Sequence, residues 1–531
     1  MRHRIAAHPP STISITPATD PALIGRFLED AAHYPGGHAA AVLRPRSIAE
    51  LSACLREPRH TLAVGAQSSL TGGATPQGDV VIATELLNTI EFRRDHVHVG
   101  AGATLQAVQD ALAKGGRWLP PVPTFLGAFA GGAVATCAAG AATFKYGTVR
   151  DWVDGLSVVL AGGDILELSR GDCIASADGR FEIETSNGVR TIRLPALEMP
   201  DVPKKSAGYF ISPGMDLIDL FIGSEGTLGV IAAVTFRTAV LPGGLCRAFV
   251  PVATEAAGIA LVDDLRRHAG ATWQTRDPNG IDVSAIEHID ARSIAVVRED
   301  GIDRKLDIHL PHGTGIVLLI DLELSPEHAA ADSWRAIESA LDVSAIDSPL
   351  TRFCRLLDRH HLLDDAEIAL PGDRSRAAAF AELREAVPAG VNRRVAVARQ
   401  RDDNISKTAA DMIVPYDRFG EMMTVCRRLF ADRGLDLAVW GHISDGNVHP
   451  NVIPRTAEDV RKGRDAILAL GDAVIEMGGC PLAEHGVGRN PIKQELLRRL
   501  YGQRGVDAMR AIKLSLDPHD TLATGVIFPA Q

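Results

Sequence analysis

Between residues 38 and 240, short runs of β-branched and apolar residues alternate with segments built mainly of Gly, Ala, Ser and Thr. The apolar runs are typical of strands, and a few helical patterns lie among them, so this region is predicted to be an α+β domain. The clearest strands are TLAVGA (61–66), DVVIAT (79–84), HVHVGAG (96–102), LSVVLAGGDILELS (156–169) and LGVIAAVTFRT (228–238). The small-residue segments constrain the fold most, because they suit places where a backbone closely approaches another group.

Four such segments occur in this region. VGAQSSLTGGATP (64–76) suits backbone N–H groups that approach a pyrophosphate, although an ordinary tight turn has the same composition. The segment 120–153 suits either close helix packing or a surface for a large flat cofactor, and FIGSEGTLGVI (221–231) ends in a strand. GAGATL (100–105) is not a Rossmann fingerprint, because Leu105 replaces the third glycine. Turns alone do not explain four such segments in one domain.

The chain has 531 residues, which is too long for one hydrophobic core. PGG at 242–244 interrupts the first pattern, and longer helical stretches follow it. Strands also follow, so the second region is predicted to be an antiparallel sheet covered by helices on one side. The expected parts are an N-terminal segment (1–37), a first domain (38–242), a second domain (243–480) and a C-terminal segment (481–531).

Charge and cysteine usage exclude several classes of protein. The net charge is -11 and no Lys/Arg run follows any element, which argues against a nucleic-acid partner. The seven cysteines are scattered without a CxxC pair, which argues against a disulfide framework or a thiolate zinc site. No apolar run approaches the ~20 residues of a membrane span. A cytoplasmic protein without an integral membrane segment is expected; peripheral membrane association and a homodimer stay open.

The segment GHISDGNVHPN (441–451) contains two histidines around an Asp-Gly pair. It predicts a hairpin in which Asp445 and Gly446 form a two-residue type I′ turn, so that His442 faces His449. Directly opposite residues share a face with Cβ atoms about 4.5–5.5 Å apart, so both imidazoles could reach one metal ion. The alternative is that two cross-strand histidines simply pack or hydrogen-bond at the surface of the sheet.

Taken as an ordered set, five motifs resemble the FAD-dependent D-2-hydroxy-acid dehydrogenases, which have the vanillyl-alcohol-oxidase-type (PCMH) FAD-binding fold. That group includes D-lactate dehydrogenase, the glycolate oxidase flavin subunit and D-2-hydroxyglutarate dehydrogenase. The motifs are VGAQSSLTGG, GGAVATCAAG with KYGTVRD, FIGSEGTLGVI, GHISDGNVHPN and LAEHGVGRN. The resemblance extends from about residue 30 to the C-terminus. It implies a two-part FAD domain, a cap domain, and a C-terminal segment that returns to the flavin.

The resemblance also implies where FAD would bind. The first loop and the segment from Gly131 would hold the pyrophosphate and adenosine, and the third motif would contact other parts of the nucleotide. The first loop contains no histidine, so FAD is expected to be non-covalent. The candidate FAD contacts are Ala66, Gln67, Ser68, Ser69, Leu70, Thr71, Thr124, Gly131, Gly132, Thr136, Ala138, Gly140, Tyr146, Glu225, Val230 and Ile231.

LAEHGVGRN (482–490) supplies a carboxylate and an imidazole beside a glycine-rich turn. By the resemblance, Glu484 is the third metal ligand beside His442 and His449. Two histidines and a carboxylate leave an open coordination position, as in catalytic zinc sites, and manganese or iron would accept the same ligands. The metal is expected to be zinc. It would help to remove the proton of the substrate hydroxyl while hydride leaves the α-carbon that bears this hydroxyl.

Three further residues are candidate catalytic residues. His485 is the candidate general base, with an orienting role beside the metal as the alternative. Arg384 matches the family position that binds the substrate carboxylate, a role that suits arginine; Arg399 and Arg401 are its alternatives. Asn451, the last residue of the histidine motif, is the third candidate.

The motifs also bear on the substrate. Dicarboxylate-specific relatives carry a lysine two residues before the Asp of a DxxxP segment, whereas this chain has Ala409 before Asp411. Lys407 lies nearby but out of register, which disfavours D-2-hydroxyglutarate. A second departure is Pro388, where some relatives have a hydroxyl residue.

The predicted activity is FAD-dependent oxidation of a small anionic D-2-hydroxy acid, such as D-lactate, to the 2-oxo acid. Electrons would pass to an acceptor other than NAD, such as a quinone, a cytochrome or an electron-transfer protein. One alternative is a related flavoprotein with a non-dehydrogenase reaction, such as alkylglycerone-phosphate synthesis. Another is an electron-transfer flavin subunit without a substrate of its own.

Overall fold

The structure, a computed structural model, describes residues 2–121, 123–325, 330–342 and 344–530. The chain divides into two compact units. The first unit comprises Met1–Gly140, Gly147–Leu241 and Cys480–Gln531, and the second comprises Ala141–Tyr146 and Pro242–Gly479. The C-terminal segment therefore belongs to the first unit, although it follows the second along the chain.

Strands and helices are numbered in chain order, and the numbers run through both units. The strands of the first unit are β1 (Arg4–Ala6), β2 (His38–Leu43), β3 (Thr61–Val64), β4 (Gln77–Ala83), β5 (Ile90–Arg93), β6 (His96–Gly100), β7 (Arg117–Trp118), β8 (Val153–Val159), β9 (Ile165–Ser169), β10 (Arg180–Thr185), β11 (Gly188–Arg193), β12 (Val230–Arg237) and β13 (Ala239–Val240). Its helices are α1 (Pro21–Gly25), α2 (Ile48–Leu55), α3 (Leu105–Ala113), α4 (Ala130–Ala135), α6 (Leu217–Phe221) and α15 (Pro491–Leu516).

Two sheets form the centre of the first unit. One is parallel with the order β2-β4-β3, and the other is antiparallel with the order β5-β6-β12-β8-β9. Ile82 of the parallel sheet, Leu51 of α2 and Val159 of the antiparallel sheet lie in one buried cluster. Leu522 joins this cluster, and the N–H of Thr61 donates to the carbonyl of Thr521. The C-terminal segment is thus part of the core of this unit.

The second unit contains the remaining elements. Its strands are β14 (Gly244–Val252), β15 (Val283–Asp290), β16 (Ile316–Leu324), β17 (Glu367–Ala369), β18 (Thr408–Ala409), β19 (Met412–Ile413), β20 (Leu437–His442) and β21 (Asn447–Val452). Its helices are α5 (Thr143–Tyr146), α7 (Glu255–Thr275), α8 (Ala291–Glu299), α9 (Ile302–Lys305), α10 (Ala330–Glu338), α11 (Pro349–Arg359), α12 (Arg374–Arg399), α13 (Phe419–Ala431) and α14 (Ala457–Glu476).

The main sheet of the second unit is antiparallel, with the order β17-β14-β16-β15-β20-β21-β18, and β19 also pairs with β21. This confirms the predicted α+β architecture. Helix α12 turns a stripe of apolar residues at intervals of three and four toward one face. Its Phe380, Leu383 and Val387 share a buried cluster with Phe249 and Trp440 of the sheet.

Helices cover both faces of this sheet, and the prediction of one covered face is wrong. On the face away from α12, His288 of β15 lies edge-on to Phe419 of α13, with ring centroids 6.2 Å apart. Gly258 of α7 packs so closely on Ile316 that a Cβ there would lie 2.2 Å from its Cδ1. The long buried runs of β15 and β16 are typical of strands covered on both faces, because a strand buried on both faces does not alternate apolar with polar residues.

The connection between β20 and β21 also differs from its prediction. Ile443–Asp445 form a 3-10 turn, and Gly446 follows it with a left-handed backbone (φ 85°). A type I′ turn needs positive φ at both central residues, and among the described residues Asp445 is not one with positive φ. Trp440 therefore pairs with His449, so the predicted pairing of His442 with His449 is wrong by two residues. A shift of two keeps both histidines on one face.

Ala141–Tyr146 extends from the small-residue segment of the first unit into the second. Nζ of Lys145 lies 2.7 Å from Asp282 Oδ2 and 2.6 Å from Glu323 Oε2. The Tyr146 hydroxyl donates to the same Glu323 oxygen at 2.6 Å. These contacts explain why the segment belongs to the second unit. The sequence alone places it in the expected first domain (38–242).

The longest helices are amphipathic rather than uniformly apolar. Helix α12 has 26 residues, α15 consists of two helices that meet at Gly502, whose backbone is not helical (φ 68°), and both carry many charged side chains. Across the described parts of the chain, no helix combines the length and the apolar character that crossing a membrane requires.

Candidate functional site

The first glycine-rich loop leaves β3 and turns sharply, because Gln67 and Gly72 have left-handed backbones (φ 54° and 77°). Ser69 Oγ accepts the N–H groups of Thr71 and Gly73, both at 3.2 Å, and closes the loop on itself. Sharp left-handed turns of this kind let backbone N–H groups converge on an anion. The predicted contacts Ala66, Gln67, Ser68, Ser69 and Leu70 are at least partly exposed, whereas Thr71 is buried.

Gly131 and Gly132 are neighbours in α4 with opposite surroundings. A Cβ on Gly131 would lie 2.5 Å from the Cβ of Ala101, so this glycine is required for close packing. A Cβ on the exposed Gly132 would meet no atom within 4 Å. The segment therefore fits both expectations from its composition, because one glycine serves packing and the other leaves an open surface.

The rest of this segment is more enclosed. Thr136 is partly buried and donates from Oγ1 to the carbonyl of Gly132 at 3.0 Å. Ala138 and Gly140 are buried, as are Val230 and Ile231 at the start of β12. Tyr146 is part of the second unit and donates to Glu323. Contact with a nucleotide at these positions stays a prediction.

Glu225 of the third motif holds the C-terminal segment. Its backbone is left-handed (φ 51°), and its two carboxylate oxygens accept the N–H groups of Val487 and Gly488, each at 2.8 Å. Burial raises the pKa of Glu225 to about 7, although these two N–H groups and the charge of Lys493 oppose the rise. Glu225 thus anchors the turn that follows Glu484 in sequence.

The C-terminal motif is fixed at several further points within the first unit. Nζ of the fully buried Lys204 lies 3.0 Å from Oε2 of Glu484. The N–H of Ser206 donates to the carbonyl of Ala483 at 2.9 Å. His485 is less enclosed, with a side chain that is 27% exposed, and its Nε2 lies 3.6 Å from the other Glu484 oxygen. A partly exposed imidazole on an anchored turn is suited to exchange a proton.

The two histidines of the second unit are buried and close together. The ring centroids of His442 and His449 lie 5.5 Å apart, with the rings nearly perpendicular at 86°. Nδ1 of His442 lies 3.0 Å from Oε1 of Glu287, and Nδ1 of His449 lies 3.3 Å from Oδ1 of Asp411. The same Asp411 oxygen accepts the amide of Asn447 at 3.0 Å.

This arrangement fits a metal site. Metal-ligating histidines commonly present one ring nitrogen to a carboxylate, which fixes the tautomer and leaves the other nitrogen as the ligand. Glu287 and Asp411 lie within ion-pair distance of Nδ1 of His442 and His449, at 3.0 and 3.3 Å, although neither contact has the geometry of a hydrogen bond. Glu484, the third ligand implied by the resemblance, lies in the first unit.

Arg384 and Asn451 lie in the same unit as the histidines. Arg384 projects from α12, and its Nε lies 3.5 Å from Oε2 of Glu287. Its Nη1 donates to Glu385 at 2.8 Å. Asn451 is 2% exposed, and its amide donates to the carbonyl of His449 at 2.9 Å. A guanidinium next to the histidine pair suits an anionic substrate.

The first unit also offers a surface that fits FAD. Leu70 and Phe125 are 41% and 59% exposed, and Thr124 beside Phe125 is exposed as well. Both apolar side chains belong to segments that the sequence assigns to FAD, as does the open Gly132. Exposed apolar side chains beside small residues and a sharply turned loop are the features that a large flat nucleotide needs.

Residues 253–527, more than half of the chain, match the family described as FAD linked oxidases, C-terminal domain. The chain belongs to the FAD-linked oxidase family. Residues 39–169 of this FAD-linked oxidase also match the family described as FAD binding domain. Its N-terminal part is therefore an FAD-binding domain, and the protein is a member of a family of FAD-dependent oxidoreductases.

Several curated relatives align along most of this FAD-linked oxidase. D-lactate dehydrogenase of Archaeoglobus fulgidus is 26% identical over 496 residues, covering 92% of this chain and 90% of the relative. Glycolate oxidase subunit GlcD of Bacillus subtilis is 26% identical and covers 92% and 88%. Mitochondrial D-2-hydroxyglutarate dehydrogenase of Bos taurus is 28% identical and covers 93% and 78%.

A solved structure shares the fold. Alkyldihydroxyacetonephosphate synthase superposes with a TM-score of 0.58 at 14% identity, covering 96% of this FAD-linked oxidase and 81% of that chain. At this identity the likeness shows the fold alone. It agrees with the α+β fold predicted from the sequence.

Sequence reasoning missed three acidic or basic residues around the candidate ligands. Glu287 could have been noticed as a carboxylate within VSAIEHID, a strand whose other residues are all buried. Asp411 was noted only as a landmark of the DxxxP segment. The fully buried Lys204 carried no local signal, because its neighbour in sequence is also a lysine.

Proposed function

We propose that this FAD-linked oxidase is a dehydrogenase that oxidises a small D-2-hydroxy acid to the 2-oxo acid. D-lactate is the leading substrate. The observation that carries the proposal is the buried histidine pair, each imidazole with a carboxylate at Nδ1, beside the guanidinium of Arg384. Three curated relatives are named for D-lactate, glycolate and D-2-hydroxyglutarate, and the 2-hydroxy acid is common to all three.

We assign His442, His449 and Glu484 as the ligands of a divalent metal, with zinc first and manganese or iron as alternatives. Imidazole and carboxylate donors suit these metals. A divalent metal bound there would supply the positive charge that makes an α-hydroxyl more acidic. The carboxylates of Glu287 and Asp411 would hold the two imidazoles in the ligating tautomer.

Non-covalent FAD, held by the first loop and the open surface at Gly132, would accept hydride at N5. Within the chain, Arg384 binds the substrate carboxylate and so orients the α-carbon. His485 takes the hydroxyl proton, since a partly exposed imidazole can exchange it with solvent. Asn451 supplies a buried amide next to His449. The electron acceptor in this proposal is a quinone, a cytochrome or an electron-transfer protein.

A monocarboxylate is favoured by the residues around Asp411. Ala409 pairs with Asn451 across β18 and β21 and so adds no charge at that position. Lys407 lies outside β18, and burial lowers its pKa. A second substrate carboxylate would therefore lack the lysine that dicarboxylate-specific relatives carry two residues before the Asp.

Anaerobic mixing of the purified flavoprotein with D- and L-enantiomers of several 2-hydroxy acids tests the proposal. A small D acid is expected to bleach the flavin absorbance, and its L enantiomer is expected to leave it unchanged. If none of the acids reduces the flavin, the protein is not a 2-hydroxy-acid dehydrogenase.

A further inference from the structure

One carboxylate contacts two of the residues proposed to act on the substrate. Oε1 of Glu287 lies 3.0 Å from Nδ1 of His442, and Oε2 lies 3.5 Å from Nε of Arg384. The side chains are 13%, 2% and 14% exposed for Glu287, His442 and Arg384 respectively, so all three are well shielded from water. Each oxygen of Glu287 therefore faces a different functional group.

The sheet register fixes this position. Glu287 of β15 lies directly opposite His442 of β20, so both side chains project from the same face. Ile289, two residues along β15, faces the apolar cluster that includes Leu383 of α12. Arg384 follows Leu383 along that helix. Glu287 thus lies at the edge of the apolar cluster, next to the polar side chains of His442 and Arg384.

A shielded carboxylate at this place has an energetic cost. Removing a charge from water is unfavourable unless partners compensate, and a well-packed apolar residue of similar volume is often at least as stabilising as a buried ion pair. The apolar cluster next to Glu287 could have continued over this position. Stability alone therefore gives little reason for a carboxylate here.

We propose that Glu287 is a positioning residue that couples the metal ligand His442 to the carboxylate-binding Arg384, an inference that rests on the proposed function. With Oε1 3.0 Å from Nδ1, the carboxylate favours the His442 tautomer that carries its proton on Nδ1, which leaves Nε2 as the ligand. The Oε2 contact orients the guanidinium from the Nε side. A shift of either partner is thereby transmitted to the other through the carboxylate that both contact.

Arg384 has a second acidic neighbour that provides a matched control. Its Nη1 donates to Glu385 at 2.8 Å, and the Glu385 side chain is 53% exposed. Among the described contacts, Glu385 pairs with Arg384 and not with His442. Neutralising Glu385 removes a charge next to Arg384 without touching the histidine. Neutralising Glu287 removes both contacts.

The experiment compares Glu287→Gln, Glu385→Gln and Arg384→Gln in the flavin-loaded protein. Zinc affinity is measured by competition with a chromophoric chelator, and KM and kcat are measured with D-lactate. Glu287→Gln is expected to lower zinc affinity about 10–100-fold, the usual effect of removing a carboxylate behind a ligating histidine, and also to raise KM. Arg384→Gln should raise KM and, through Glu287, lower zinc affinity by less than Glu287→Gln does, whereas Glu385→Gln should change both by less than about twofold.

Wild-type zinc affinity in Glu287→Gln, or an equal loss in Glu385→Gln, would overturn the coupling. If Glu287→Gln does not fold, Glu287→Asp replaces it. Its shorter side chain keeps the charge but not both contacts, so an intermediate loss of zinc affinity is expected and wild-type affinity again refutes the proposal. The zinc measurement needs no turnover, so it remains decisive even if no hydroxy acid reduces the flavin, the result that would refute the proposed function alone.

Discussion

His449 lies opposite Trp440 across its hairpin, and yet its imidazole centroid is only 5.5 Å from that of His442. The two rings meet diagonally on one face of the sheet, because their register positions differ by an even number of residues. The 3-10 turn between the strands changed the predicted pairing without changing the face. The two proposed ligands are therefore close together because they project from the same face of the sheet, and not because they lie directly opposite each other.

Replacing His442 tests the role of this pair. His442→Ala should keep the flavin spectrum, because its contacts lie in the second unit, and should lose bound metal and flavin reduction by substrate. Metal content by elemental analysis and anaerobic flavin bleaching measure the two effects. His309→Ala, at an exposed position of the same unit, is the control and should retain both. Full activity in His442→Ala would remove the metal from the mechanism.

The two adjacent glycines of α4 separate flavin binding from folding. Gly132→Val should leave the thermal stability of the flavin-free protein nearly unchanged, because no atom lies within 4 Å of the new Cβ, but should weaken FAD binding. Gly131→Val should instead destabilise the protein by about 1–3 kcal/mol, since its Cβ would clash with Ala101. Equilibrium dialysis with FAD and thermal melts distinguish them. Equal flavin affinity in Gly132→Val and the wild type would place FAD elsewhere.

The Lys204–Glu484 pair should be costly to break from one side. Lys204→Met leaves a shielded carboxylate without its cation, for which about 3–5 kcal/mol is typical. The double variant Lys204→Met/Glu484→Gln should recover part of the loss. Lys305→Met breaks a comparable but exposed pair and should cost about 0–1 kcal/mol. Thermal melts of chelator-treated protein compare the three, and an equal effect of Lys204→Met and Lys305→Met would contradict the account.

Glu225 should give stability a distinctive pH dependence. Burial raises its folded-state pKa to about 7 from the ordinary 4.5, so between these values the folded protein binds more protons than the unfolded chain. Stability relative to Glu225→Gln should therefore be highest below pH 4.5, fall by at most about 1.4 kcal/mol per pH unit up to pH 7, and stay level above it. Thermal melts across this range measure the difference. Parallel profiles for the two proteins would show that Glu225 does not titrate as stated.

The fold was largely readable from the sequence, because strand periodicity and glycine-rich loops are local signals. β3, β6 and β12 each lie within their predicted segments, and β4 begins two residues before its own. The register of the histidine hairpin was not readable in the same way. An Asp-Gly pair favours a two-residue turn, but Gly446 alone took the left-handed backbone and the turn widened. The contact of Gly446 with the backbone of Val414, which a Cβ would block, is tertiary and has no local signature.

The candidate site was readable only in part. Histidines, glutamates and arginines indicate their chemistry by residue type, so His442, Arg384 and Glu484 could be proposed as site residues from the sequence. Their partners Glu287 and Lys204 lie 155 and 280 residues from the groups they contact, and composition carries no information at that distance. Lys145 likewise contacts Asp282 and Glu323, which are far from it in sequence, so the placement of Ala141–Tyr146 in the second unit could not be predicted from the sequence either.

Metal dependence of flavin reduction tests the central claim most directly. Wild-type protein freed of metal by a chelator should remain yellow and should not be bleached by D-lactate under anaerobic conditions. Adding zinc should restore bleaching, whereas L-lactate should bleach neither form. Bleaching of the metal-free protein by D-lactate at the rate of the zinc-loaded protein would contradict metal-assisted oxidation of a D-2-hydroxy acid.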